Sequence, residues 1–193
     1  KTLNDAGWVR GQDGKRAKGG QPLRIAIASV KTGDYPKVVE KLTENWNKIG
    51  ITVQTVLVNP EEVQQDIIAP RSYDVLLYEL AIGGDPDVFA YWHSSQANSR
   101  GLNLANYNSG KADDALDSAR SRFEMDLRAA KYKTFVDQWL EDVPGVVLYQ
   151  PNLHYVTKTT VSALEGGSLV DAVDRYRNVQ YWSVSQDVEN QTP

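Results

Sequence analysis

Between residues 23 and 78 the sequence alternates apolar, β-branched runs with capped helical segments, and that alternation restricts the chain to an α/β architecture. In the first run Leu23, Ile25 and Ile27 fall on one face and Ala26 and Ala28 on the other, so both faces can be covered, as in a central strand. After Gly33 and Asp34, Pro36 opens a helix with Val38, Val39, Leu42, Trp46 and Ile49 at helical spacing, and Gly50 stops it. Residues 51–58 are β-branched and strand-like. Asn59, Pro60 and Glu62 then supply a cap, a proline at the first helical position and an acid three residues after the cap, starting a helix that ends before Pro70. Val75, Leu76, Leu77 and Tyr78 make the third strand. Strand, helix, strand, helix, strand in this order calls for right-handed crossovers and a mostly parallel central sheet flanked by helices.

The third strand empties into Ile82-Gly83-Gly84 and then into Asp85-Pro86-Asp87, which reads as strand, turn and helix start. Asp85 suits the N-cap, and Pro86 after it gives up an amide that has no partner there. In open α/β sheets, loops at the carboxyl ends of strands hold the ligand, so Ile82, Gly83, Gly84, Asp85, Trp92 and Ser94 are ligand-binding candidates. By the same rule Ser29, Lys31, Asp34 and Tyr35, after the first strand, are a second group. Each has a plainer reading. Asp85 can be a cap alone, Gly83 and Gly84 either permit positive φ or let a ligand approach the backbone, and Tyr91 and Trp92 either pack or form a stacking wall. His93 beside Ser94 and Ser95 suggests hydrolysis only weakly, because no acid is spaced in the sequence to orient the imidazole.

The remaining segments add scaffolding. Residues 1–8 form a short helical piece stopped by Gly7, and residues 9–21, with four Gly and four basic side chains, form a loop or hairpin. Residues 111–123 place Ala112, Ala115, Leu116, Ala119 and Phe123 on one side of a helix. Asp126 then caps another helix, whose core stripe is Tyr132, Phe135, Val136, Trp139 and Leu140. Strands are expected over 145–149, 153–157 and 179–184, with a frayed tail over 186–193. The whole reads as a single domain, 1–193, with no internal repeat.

Charge and composition exclude several functions. A net charge of -4 at pH 7 gives no electrostatic reason to expect nucleic acid as a partner. With no cysteine and only His93 and His154, neither a thiolate nor a metal site is expected, and no cofactor motif is present. No Gly-x-Ser-x-Gly, His-Glu-x-x-His or phosphate loop occurs, so no catalytic residue is assigned. No apolar run is long enough to cross a bilayer, and the chain, opening at Lys1 without a leader, reads as a soluble piece of something longer.

Taken in order, Leu3-Asn4-Asp5-Ala6-Gly7-Trp8, Asp13-Gly14-Lys15-Arg16, Lys48-Ile49-Gly50-Ile51-Thr52-Val53, Tyr73-Asp74, Asp85-Pro86, Tyr107-Asn108, the 128–132 segment, Glu141-Asp142-Val143-Pro144 and Leu148-Tyr149 are similar to the second lobe of the family 5 extracellular solute-binding proteins, the peptide- and nickel-type receptors of ABC importers. The resemblance covers essentially the whole chain. It implies a periplasmic-binding-protein-like (type II) lobe of a bilobal receptor outside the cytoplasmic membrane, often lipid-anchored, which closes on a peptide or other small solute and delivers it to an ABC permease. It also implies that the first lobe is not in this chain; the expected state is a monomer. Peptide receptors of this kind carry an aspartate shortly before the acidic-Pro pair to capture the peptide amine. Ile82, Gly83 and Gly84 stand there instead, with Glu79 as the candidate substitute. A plain protein-interaction module is the alternative function, and a hydrolase the remotest.

Overall fold

A computed structural model describes residues 1–152, 154, 156, 158, 161–162 and 171–185. The chain divides into two compact units, Lys1–Leu80 with Asp87–Gly145, and Ala81–Pro86 with Val146–Pro193, where the sequence reading expects one domain.

The first unit is built on a parallel three-stranded sheet. Strand β4, Arg24–Val30, lies between β5, Thr52–Val58, and β6, Val75–Leu76, and both neighbours run parallel to it. The expected parallel α/β arrangement is present. Helix α2, Tyr35–Lys48, connects β4 to β5, with Pro36 in its first turn. It ends on a Schellman motif, in which Gly50 donates to Asn47 and Ile51 to Trp46. Gly50 has φ +90, and a Cβ there would meet the Gly14 carbonyl at 2.7 Å, so glycine is demanded twice.

The second crossover differs from expectation. Glu62 does reach back to the Asn59 amide at 3.1 Å, but the chain then winds into a wider π-helical turn, Gln64–Ile68. That turn puts Val63, Ile67 and Ile68 together against Ala28 and Val30 as the core under the sheet.

Before the sheet, α1, Thr2–Asp5, ends at Gly7 (φ +84), and β1, Val9–Arg10, β2, Arg16–Lys18, and β3, Gln21–Pro22, form a small antiparallel sheet. After it, the short α3, Phe89–Trp92, leads to the hairpin of α4, Gly110–Arg120, and α5, Met125–Asp142. Their shared core is Tyr107, Ala112, Ala115, Leu116, Ala119, Tyr132 and Phe135, with Trp92 and Trp139 packed against it.

Several expectations are corrected. Asp126 lies in the first turn of α5, whose N-cap is Glu124. Phe123 is 98% exposed because α4 has ended at Arg120, and Val136 and Leu140 face outward because the buried stripe runs through Tyr132, Phe135 and Gln138. Residues 145–149 carry no ladder and so are not a strand, their backbone groups having no neighbouring strand among the described residues.

In the second unit, residues 179–184 are not one strand. Val179–Tyr181 is a 3-10 turn, and only Ser183–Val184, β8, pairs, antiparallel, with β7, Val161–Ser162. Of the strand expected at 153–157, residues 153, 155 and 157 lie outside the described residues, and Val156 is exposed and irregular; the tail at 186–193 also lies outside them.

Candidate functional site

Because β4, β5 and β6 run parallel, their carboxyl ends share one edge, and the ladder fixes it: Lys31 donates to Val58 and Leu77 to Ala28 through the backbone. Ser29 is fully buried there and its hydroxyl donates to the Leu77 carbonyl at 2.8 Å, so this candidate ties two strand ends together and offers no surface to a solute. Lys31 beside it is exposed. Tyr35, on the first turn of α2, donates its hydroxyl to Glu79 Oε2 at 3.3 Å. Two candidates 44 residues apart are thereby joined at the strand-end edge, with Glu79 exposed.

Trp92 and Ser94, also in the first unit, are held from within. Trp92 meets Tyr107 and Trp139 edge-to-face, at centroid distances of 6.4 and 5.2 Å, which makes it a packing residue of the helical core. The Ser94 amide and hydroxyl both donate to Asp113 on α4. His93, contrary to the sequence reading, does have acids near it: Asp113 and Asp117, one turn apart on α4, lie 3.9 and 3.6 Å from Nε2. Helical folding of a segment twenty residues on brings them there. The imidazole nevertheless acts as a cap. Its Nδ1 accepts from the Ser95 amide at 3.1 Å, and that single lone pair is then not free to take the Ser95 hydroxyl proton 2.8 Å away.

Ile82, Gly83, Gly84 and Asp85 belong to the second unit and are all exposed. Asp85 is not the helix cap. The helix does not start at Pro86 but only at Phe89, whose amide is taken by Asp87 Oδ1 at 3.1 Å. Asp87 is further fixed by Arg120 Nε at 3.0 Å, and that guanidinium lies 4.3 Å over Phe89, which stacks on His93. Gly83 does not adopt the positive φ that one reading proposes, and open space surrounds the place a Cβ would take.

Sequence reasoning missed the residues that position these loops. Asn103 is fully buried, gives its amide protons to the His93 and Tyr107 carbonyls and accepts from the Tyr107 amide. Arg71 reaches the Tyr73 hydroxyl and the Asn98 and Gly101 carbonyls, and Tyr73 donates to Leu104 at 2.7 Å. Tyr107 donates to Asp142 at 2.6 Å. Burial first, and then the neighbouring Asp142 carboxylate, push the Tyr107 hydroxyl up to about 12, while that hydrogen bond and one from Gln138 hold Asp142 below the ordinary carboxylate range. No periodicity announces a buried Asn in a loop. Among the described residues no cluster of His, Asp or Glu is arranged to hold a metal ion.

No protein-family profile matches the sequence. Protein XP55 of Streptomyces lividans is 31% identical over 150 residues, 75% of this chain and 26% of that protein. Among solved structures, the oligopeptide-binding protein AppA of Bacillus subtilis, in complex with a nonapeptide, matches 95% of this chain and 36% of its own at a TM-score of 0.77 and 23% identity. NikZ of Campylobacter jejuni, in complex with Ni(L-His), matches 74% of this chain and 29% of its own, with a TM-score of 0.63 and 27% identity. The chain thus spans between about a quarter and about a third of the length of these relatives.

Proposed function

Since this chain carries the fold of the family 5 extracellular solute-binding proteins, a periplasmic-binding-protein-like fold, we propose that it supplies one ligand-binding lobe of an ABC-importer receptor for a peptide or similar small solute. The observation that carries the reading is the shared carboxyl edge of β4, β5 and β6, where Tyr35 and Glu79 are linked and exposed Lys31 stands beside the buried Ser29 tie. Loops at such an edge are where α/β sheets take ligands. Glu79 is the anchor for a cationic group, standing in for an aspartate nearer the acidic-Pro pair; a buried ammonium without a carboxylate partner would be too costly to desolvate. Ile82, Gly83, Gly84 and Asp85, which belong to the second unit, are proposed as solute contacts by themselves.

In the receptor, contacts from both lobes favour the closed form, and the closed form is what the permease reads. The parent protein works outside the cytoplasmic membrane, as a monomer and without a cofactor. No helix among the described residues is long and apolar enough to span a bilayer. With one wall only, most burial and polar pairing is lost, so this chain folds but binds its solute weakly.

Calorimetric titration of the full-length receptor with peptides and their N-acetylated counterparts tests the reading. A marked loss on acetylation that is absent in Glu79→Gln supports the anchor. Equal losses in both proteins remove Glu79 from the site, and no peptide or metal-chelate binding by any form overturns the receptor reading.

A further inference from the structure

Charge is unevenly placed along this chain: residues 10–24 carry five Arg and Lys against the single acid Asp13, a net of +4 in a protein of net -4, which leaves -8 for the remainder. The five cations gather on and beside the small sheet β1–β3, with Arg10 and Arg16 directly opposite each other in its register. Like charges facing across a ladder repel, and an acid opposite either one would relieve the pair. Here none of Arg10, Lys15, Arg16, Lys18 and Arg24 forms an ion pair among the described residues.

Neutral oxygens hold the two arginines instead. Arg10 donates to the Gly14 and Lys48 carbonyls, and Arg16 to the Ile49 and Trp8 carbonyls and to Asn4 Oδ1. Asp13 turns its carboxylate to the Lys15 amide. The positive field is therefore built into the fold without a counter-ion, while Lys18 and Arg24 extend it as exposed side chains, and exposed Val9 adds an apolar contact.

We infer that this sheet is a docking face for an anionic bilayer surface. Unpaired Lys and Arg spread over a small sheet suit a diffuse layer of negative headgroups, each cation contributing on the order of 1 kcal/mol near such a surface. The choice of a bilayer over an acidic protein rests on the receptor reading, which brings the chain to a membrane-embedded permease.

Co-sedimentation of the chain with vesicles containing phosphatidylglycerol, against vesicles of phosphatidylcholine alone, tests the inference. Partitioning onto the anionic vesicles alone is expected, weakening as salt rises. The combined variant Lys15→Gln, Lys18→Gln, Arg24→Gln keeps Arg10 and Arg16 in place and loses roughly fivefold in partitioning per charge removed. Equal binding to both vesicle types overturns the inference, as do no binding to either and unchanged partitioning of a variant with parental circular dichroism. So does capture by an acidic polypeptide without capture by anionic vesicles. The assay contains no solute, so its failure leaves the receptor reading to the peptide titration.

Discussion

Gly50 and the Asp142–Tyr107 pair show how much can rest on single positions. Gly50 combines a left-handed φ with a 2.7 Å approach to the Gly14 carbonyl, so Gly50→Ala adds both backbone strain and a clash against backbone that cannot swing aside. A loss of at least about 2 kcal/mol is expected from denaturant unfolding, larger than at an ordinary exposed glycine. Asp142 and Tyr107 couple stability to pH from opposite ends. The folded carboxyl of Asp142 is depressed, so its contribution is present above the unfolded value and fades as pH falls through the folded one. Tyr107 is raised from 10.0 to about 12, so its contribution is full below 10 and is lost between 10 and 12 as the unfolded chain ionises first. Asp142→Asn is expected to flatten the acid limb of the stability profile and to bring the last tyrosine ionisation, followed by ultraviolet absorbance, to lower pH.

Elements hold their place here through a few side chains that bridge segments distant in sequence. Strand β6 is only two residues long, too short to be secured by its ladder alone, and Asp74 just before it extends the pairing by accepting the Ala26 amide at 2.7 Å and donating its own amide to Ala26. Asp74→Ala is expected to weaken that end of the sheet by about 1 kcal/mol, read as faster hydrogen exchange at the Ala26 and Ala28 amides while α4 and α5 are unchanged. The loop from His93 to Tyr107 depends in the same way on Asn103. Truncation to alanine orphans the Tyr107 amide and two carbonyls in a buried setting, and a loss of about 2–4 kcal/mol is expected in thermal unfolding. Helix α5 illustrates where pattern reading reaches its limit. Its buried line through Tyr132 and Phe135 is in the sequence, but Val136 and Leu140 fit the same helical spacing and remain exposed, because only the position of α4 decides which flank is covered.

For the molecule as a whole, the coverage of its relatives sets the expectation for binding. Under the receptor reading proposed above, a chain that spans 36% of AppA and 29% of NikZ is expected, when titrated by itself, to bind peptides orders of magnitude more weakly than a receptor of those proteins' full length. Equal affinity would mean that one lobe carries the whole site. By itself the sequence determined the α/β class, the parallel run of β4, β5 and β6 and the Gly7 and Gly50 stops, since each follows from periodicity, β-branching or glycine chemistry within a window of a few residues. Tertiary structure alone decided that Glu79 meets Tyr35, that Ser29 is consumed in a strand tie, and that His93 faces two aspartates of α4. Those pairings join residues 20 to 48 positions apart through a chain path that local preferences leave open. Packing selects among such paths only once the sheet and the helical hairpin have formed their cores.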